Sequence, residues 1–301
     1  MAQVTRRGPF ERFDEIEPAA ASLRLVTRPV VDGTPCGTAV EFRLTPMAEP
    51  AGLRLAYRAQ GEGPWRVQRV RVLDKALPVT AEGSGSLYVP QRLGIEQAAA
   101  KGLPSRQSWR LYAGLSMAMC GAVQDGSALL VNWDVIDSEL VTHGEWLDAA
   151  AVPGRRVRSV SLNLAAPEGV VSLHPLGRGG YVEIARAYRP LAKAKGWRLT
   201  WADKRARWPA VDRIFGATDF KPFVFSRTVP TSRFARDGKE SVHLGFTFDE
   251  IAQCAEHWRN DLQIERAFVV LAGWINGGYD VRHPDVLPAA PECGGDAGLQ
   301  A

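Results

Sequence analysis

A chain of 301 residues, 46% hydrophobic and 23% charged, has the balance of a soluble globular protein and enough apolar side chains for one large core or two ordinary ones. Its 37 Lys and Arg against 33 Asp and Glu leave a net charge of +4, scattered without the basic block or aromatic-interleaved stripe used on nucleic acid. No run approaches the ~20 apolar residues of a membrane span, and Cys36, Cys120, Cys254 and Cys293 have neither C-x-x-C spacing nor a nearby His, so membrane, zinc, disulfide framework and cofactor are not expected.

At the N-terminus, Thr5-Arg6-Arg7 has a trace of a twin-arginine signal, but charged residues follow where an apolar segment should stand. The expectation is a cytoplasmic protein. From about Ser22 to Leu164, short alternating stretches are separated by Gly, Pro and Asp. Val40, Phe42 and Leu44 alternate with Glu41 and Arg43; Leu53, Leu55 and Tyr57 with Arg54 and Arg58; Val160, Leu162 and Leu164 with Ser161 and Asn163. Period two with arginine on one face predicts half-buried antiparallel strands, and with "QSWRLYAGLSMAMCGAV" and "SALLVNWDV" added, a large β-sandwich over residues 1–174.

After His174 the period changes. Tyr181, Ile184, Tyr188 and Leu191 recur at helical spacing, with Pro190 expected to kink or divide the helix and Gly196 to stop it. "WADKRARWPAVDRIFGA" reads as two short helices split at Pro209, making 175–240 a helical linker. From Ser241, the residues Val242, Leu244, Phe246 and Phe248 alternate as a strand, and Thr247 with Glu250 has capping-box spacing for a helix faced by Ile251, Ala255, Trp258 and Leu262. The apolar run Phe268 to Leu271 then reads as a strand buried on both faces of a parallel sheet. Strand, helix, strand is a βαβ unit. One such unit cannot close a (β/α)₈ barrel, which takes about 250 residues. Residues 241–301 are therefore either the start of a truncated (β/α)₈ barrel or a degenerate tail on the sandwich.

The loop past that strand, "AGWINGGYDVRHPDVLPAAPECGG", holds Trp274, Asn276, Tyr279, Asp280, Arg282, His283 and Asp285. Ligands of parallel α/β folds bind at the C-terminal ends of strands. Aromatic faces suit the C–H surface of a pyranose and the polar groups suit its hydroxyls, so these seven are the predicted substrate-binding residues for a carbohydrate. Asp280 and Asp285 are not assigned as a glycosidase pair, because the reaction depends on a carboxylate separation that a five-residue spacing in a loop does not fix. Asp249 reads as a first-turn residue favoured by the helix dipole. "GRGGYV" lacks the third glycine of a dinucleotide fingerprint, and Ser116, Ser127, His143, His174, His243 and His257 show no partner along the chain.

"GLSMAMCGAVQDGSALLVNWDVIDSEL", "IARAYRPLAKAKGWRLTWADKRARWPAVDRIFGA" and "GWINGGYDVRHPDVLPAAPECGG" together resemble the N-terminal half of glycosidase-like proteins related to the endo-α-N-acetylgalactosaminidases, family 101 of the glycoside hydrolases, and their uncharacterised neighbours. The sharpest piece is G-W-x-x-G-G-Y-D-x-x-x-P-D. The resemblance implies a galactose-mutarotase-like sandwich ahead of a (β/α)₈ barrel, and a parent enzyme that hydrolyses glycosidic bonds of a glycan substrate through two carboxylates without a metal. Those carboxylates lie on later barrel strands in the family, so the catalytic residues have no positions here and this chain is expected to be inert. Trp274, Tyr279, Asp280 and Asp285 match the family pattern; Val281-Arg282-His283 departs from its Asn- and Tyr-rich version. The rival expectation is a non-catalytic carbohydrate-binding or interaction module.

Overall fold

Where the sequence alternates, the chain forms sheets. The structure, a computed structural model, describes residues 13–301 apart from 32, 62–64, 103, 150, 151 and 283, with backbone only at 31, 146–149 and 152–155. It divides into two units, Met1–Arg198 and Leu199–Ala301.

The strands of the first unit are β1 (Glu15–Ala19), β2 (Ser22–Thr27), β3 (Val30–Val31), β4 (Thr34–Pro35), β5 (Ala39–Ala48), β6 (Ala51–Gln60), β7 (Val70–Thr80) and β8 (Ser86–Val89). There follow β9 (Ile95–Ala98), β10 (Arg106–Leu111), β11 (Gly114–Leu115), β12 (Met119–Gln124), β13 (Ser127–Trp133), β14 (Ser138–Ala149), β15 (Val152–Leu164) and β16 (Glu168–Arg178). Among the described residues they make a nine-stranded sheet in the order β1-β2-β5-β6-β16-β13-β12-β8-β9 and a five-stranded sheet in the order β11-β10-β14-β15-β7. Pairing is antiparallel except between β10 and β11. Val40, Phe42, Tyr57, Leu140, Val160, Leu162 and Leu164 lie in one buried cluster with Trp133, while Arg43, Arg54 and Arg58 stay exposed, as the alternation requires. Trp133 is fully buried because its indole N–H has a partner, donating to Ser138 Oγ at 2.8 Å.

β12 and β13 are buried on both sides. Cys120, Ala122, Val131 and Trp133 enter the core between the sheets, whereas Met119, Val123, Ala128 and Leu130 pack under the helix α1 (Tyr181–Ala194) through its buried Ile184, Tyr188 and Ala192. Thus β16 runs past 174 and α1 lies on the sandwich, so residues 175–194 belong to the first unit where the sequence reading placed a linker. The helix also runs through Pro190 undivided. That residue is exposed, so the carbonyl it leaves without an N–H faces solvent and can be hydrated. Gly196 ends the segment at a φ of 71°, in the left-handed region that glycine favours.

The second unit opens with α2 (Trp201–Arg207) and a 3₁₀ turn, Pro209–Arg213, split at Pro209 as the sequence predicts. It continues with β17 (Thr218–Phe220), β18 (Phe225–Thr228), β19 (Ser241–Leu244), α3 (Phe248–Asn260), β20 (Ala267–Val269), a 3₁₀ turn, Pro291–Cys293, and α4 (Gly295–Gln300). The predicted βαβ unit exists with a different first strand. β20 is parallel to β17, with Thr218 opposite Ala267 and Phe220 opposite Val269, whereas β19 forms an antiparallel hairpin with β18. The predicted strand also ends at Leu244. Thr247 caps α3 through the N–H of Glu250, Glu250 returns a carboxylate oxygen to the N–H of Thr247, and Phe248 becomes the buried first residue of the helix. Three residues of β17, Thr218-Asp219-Phe220, are too short and too polar to show an apolar run, which is why the pairing was hidden. Among the described residues no helix is long and apolar enough to cross a membrane.

Candidate functional site at the ends of the parallel strands

The parallel ladder runs past its assigned strands. Val270 N–H donates to Phe220, Ala272 N–H to Pro222 at 3.0 Å, and Val224 N–H to Ala272 at 2.7 Å, so Phe223 and Ala272 stand side by side at the C-terminal ends. Gly273 then turns the chain at a φ of 84°, against the carbonyl of Phe225. From there residues 274–290 leave and return as a closed loop. Ala290 N–H donates to Trp274 at 2.9 Å, Ile275 bridges Ala289, and Asn276 N–H donates to Val286 at 3.2 Å. Asp296 holds the base by accepting the N–H of Ala289 at 2.7 Å.

Two glycines set the tip. Gly278, at a φ of 94°, has no room for a side chain: a Cβ there would lie 2.8 Å from the Phe225 ring and 2.9 Å from Ser226 Cα. Tyr279 N–H is thereby brought to the carbonyl of Phe225 at 3.0 Å, pinning the tip to β18. Asp280 and Arg282 adopt φ values of 56° and 58°, which costs a non-glycine residue about 1 kcal/mol.

The loop separates the predicted residues into two groups. Tyr279, Asp280, Arg282 and Asp285 are exposed at the tip, and Asn276 is half-buried beneath them. Trp274 faces inward, against the cluster of Val224, Phe225, Phe248, Ala289, Ala290 and Cys293. Its ring is part of the core that holds the loop. His283 lies outside the described residues. Two rings that the sequence did not single out join this end: Phe223, with its centroid 5.3 Å from that of Tyr279, and His243 of β19, 6.0 Å from Phe223 on its own contact. Their signal was the strand pairing, which puts Phe223 next to Ala272. Asp249 is in the first turn of α3, as expected. No group of His, Cys, Asp and Glu suited to a metal ion occurs among the described residues.

The first unit holds a second meeting of reactive side chains. Ser161 Oγ lies 2.9 Å from His143 Nε2 and donates to Asp74 at 3.0 Å, while accepting the N–H of Lys75. A nucleophilic serine must give its proton to the histidine and be open to substrate. Here the proton goes to the carboxylate and Ser161 is only 1% exposed, so the trio is a polar link between β7, β14 and β15 that runs from buried Ser161 out to Asp74 at the surface. An open groove of about 780 Å³ on the outer face of β5, β6 and β16 is likewise lined by charges that neutralise each other, Arg58 with Glu168 and Arg43 with Glu41. Its one aromatic lining residue, Tyr57, is buried.

No protein-family model matches this sequence. No curated protein matches it either. Solved structures do match in fold. The chain superposes on the α-N-acetylgalactosaminidase NagBb of Bifidobacterium bifidum in complex with GalNAc at a TM-score of 0.76, with 20% identity, over 95% of this chain and 47% of that one. The same enzyme with Gal-NHAc-DNJ gives 0.73 at 19% identity, and its ligand-free form 0.71 at 19%, with the same coverage. The chain therefore spans about half the length of the structures it matches, and the shared fold takes in most of both units.

Proposed function

We propose that this chain is the N-terminal part of a glycoside hydrolase acting on glycans, with β17 and β20 as the first two strands of a (β/α)₈ barrel and the sandwich as a fused galactose-mutarotase-like domain. The observation that carries the reading is the loop 274–290. It places an exposed tyrosine, two carboxylates and a guanidinium at the C-terminal ends of parallel strands, where barrel enzymes bind substrate. The uncovered apolar side chains of β20 support it: Phe268 is 44% exposed and Val269 38%, as expected of a strand that further strands and helices would flank. The fold shared with an α-N-acetylgalactosaminidase makes an N-acetylgalactosaminide the first substrate to try.

In this reading Asp280 and Asp285 bind sugar hydroxyls, and the acid and nucleophile come from later strands of the parent enzyme. The test is hydrolysis of aryl α-N-acetylgalactosaminide and other aryl glycosides. The 301-residue chain should give no turnover, and the full gene product should. Turnover by the chain alone that is lost in Asp280→Asn would make the loop itself catalytic and overturn the assignment.

A further inference from the structure

We propose that Phe223, His243 and Tyr279 form an aromatic platform on which a sugar ring stacks, beside the polar tip of the loop. The proposal rests on the glycan reading and gives the site a shape that the sequence did not. Phe223 is central: its ring is 5.3 Å from Tyr279 and 6.0 Å from His243, inclined by 43° to each, so the three make a shallow trough rather than a flat stack. All three rings are open to solvent, Phe223 by 38% and Tyr279 by 42%.

Backbone contacts set the place of each ring. Phe223 is fixed by the ladder to Ala272, Tyr279 by its N–H on Phe225, and His243 by the pairing of β19 with β18 opposite Ser226. Gly245 crosses so close to Phe223 that a side chain at 245 would overlap its carbonyl, which keeps the hairpin against this residue. Asp280 follows Tyr279 directly and has no ion-pair or hydrogen-bond partner among the described residues; its carboxylate is free to accept from a hydroxyl. An apolar floor with a free acceptor at its rim fits a pyranose, whose C–H face is apolar and whose edge is a ring of hydroxyls. With Trp274 packed against the core, Tyr279 of the two aromatic residues expected to stack on a sugar stays exposed, and Phe223 and His243 extend its surface.

The experiment is a titration of the 301-residue chain, labelled at Phe, Tyr and His, with free N-acetylgalactosamine, followed in aromatic and backbone NMR spectra. Signals of Phe223, His243 and Tyr279 should move together and saturate. His243→Ala and Phe223→Ala should each weaken binding about two- to tenfold, the range of one aromatic contact, and Phe223→Trp should preserve it. His243 lies on an exposed strand, so its variant tests the platform even where Phe223→Ala disturbs folding. If the backbone of 276–285 responds while the three rings do not, and His243→Ala binds as the parent does, the platform is wrong and the glycan reading stands. If nothing in the second unit responds at tens of millimolar sugar, both fail. Ring signals that move with protein concentration and not with sugar would assign the trough to a second copy of the chain and overturn the proposal.

Discussion

Gly273 lies against the carbonyl of Phe225 so closely that a methyl group at 273 would overlap the oxygen, and its φ of 84° already excludes most side chains. Both effects act on the turn that launches the loop 274–290. Gly273→Ala should therefore destabilise the second unit by about 3 kcal/mol or more, combining left-handed backbone strain with a clash against main chain that cannot rotate away. Gly216→Ala is the control. Gly216 has a φ of 74° but nothing near its missing Cβ, so only the backbone cost of about 1 kcal/mol should appear. Denaturant melts followed by tryptophan fluorescence would compare the two; equal losses would mean that Gly273 is free to shift.

Trp274 and Tyr279 are five residues apart and should behave oppositely. Truncating Trp274 empties space among Val224, Phe225, Phe248 and Ala290, and for a half-buried ring the loss should be about 2–3 kcal/mol. Tyr279→Ala removes an exposed ring and should cost under about 1 kcal/mol, while weakening sugar binding. A stable Trp274→Ala that no longer binds sugar would return the indole to the site.

What could be read from the sequence and what could not divide on the range of the interactions. Val40, Phe42 and Tyr57 announced their sheet because arginine marks the other face of each strand at period two. Thr247 and Glu250 announced the start of α3 because a capping box closes within one turn. Phe223, His243 and Tyr279 are far apart in the chain, and only the pairing of β17 with β20 and of β18 with β19 brings them together. The inward turn of Trp274 depends on Ala289, Ala290 and Cys293, which return to it after the loop. Residue type singled out the loop; which of its rings faces solvent is decided by packing that no local pattern encodes.

The first unit should lose stability in mild acid through two imidazoles, His174 buried and His143 partly so. Burial holds both His143 and His174 below the ordinary histidine range, because a charged ring is poorly solvated there. Each is thus protonated more readily in the unfolded chain. Their contribution is complete above about pH 6.5 and is lost as pH falls through the folded values, with a slope of at most about 1.4 kcal/mol per pH unit for each ring. Glu41, Glu183 and Glu250 are also held low, by Arg24 and by backbone N–H groups, but their window lies below the ordinary carboxylate range. Urea midpoints at pH 7.5 and 5.5 should differ, and His174→Gln, which keeps a polar group near Asn132, should flatten the difference. An unchanged difference in that variant and in His143→Gln would place the titration elsewhere.

The exposed strands of the second unit set the last expectation. Val242, Leu244, Phe268, Val269 and Val270 are all more than a third exposed, and each forgoes part of the about 1.5–3 kcal/mol that full burial of such a side chain provides. Several such losses rival the whole stability of a domain. β20 is hydrogen-bonded to β17 over three residues, whereas β14 and β15 pair along most of their length in the five-stranded sheet. Local opening should therefore be far easier in the second unit. Amides of β19 and β20 are expected to exchange with deuterium orders of magnitude faster than those of β13, β14 and β15. The isolated chain should also associate as concentration rises, since paired open edges and apolar faces bury one another. Slow exchange from Val242 to Leu271 in a monomer of the 301-residue chain would mean that these strands need no further partner, and the barrel reading would lose its physical support.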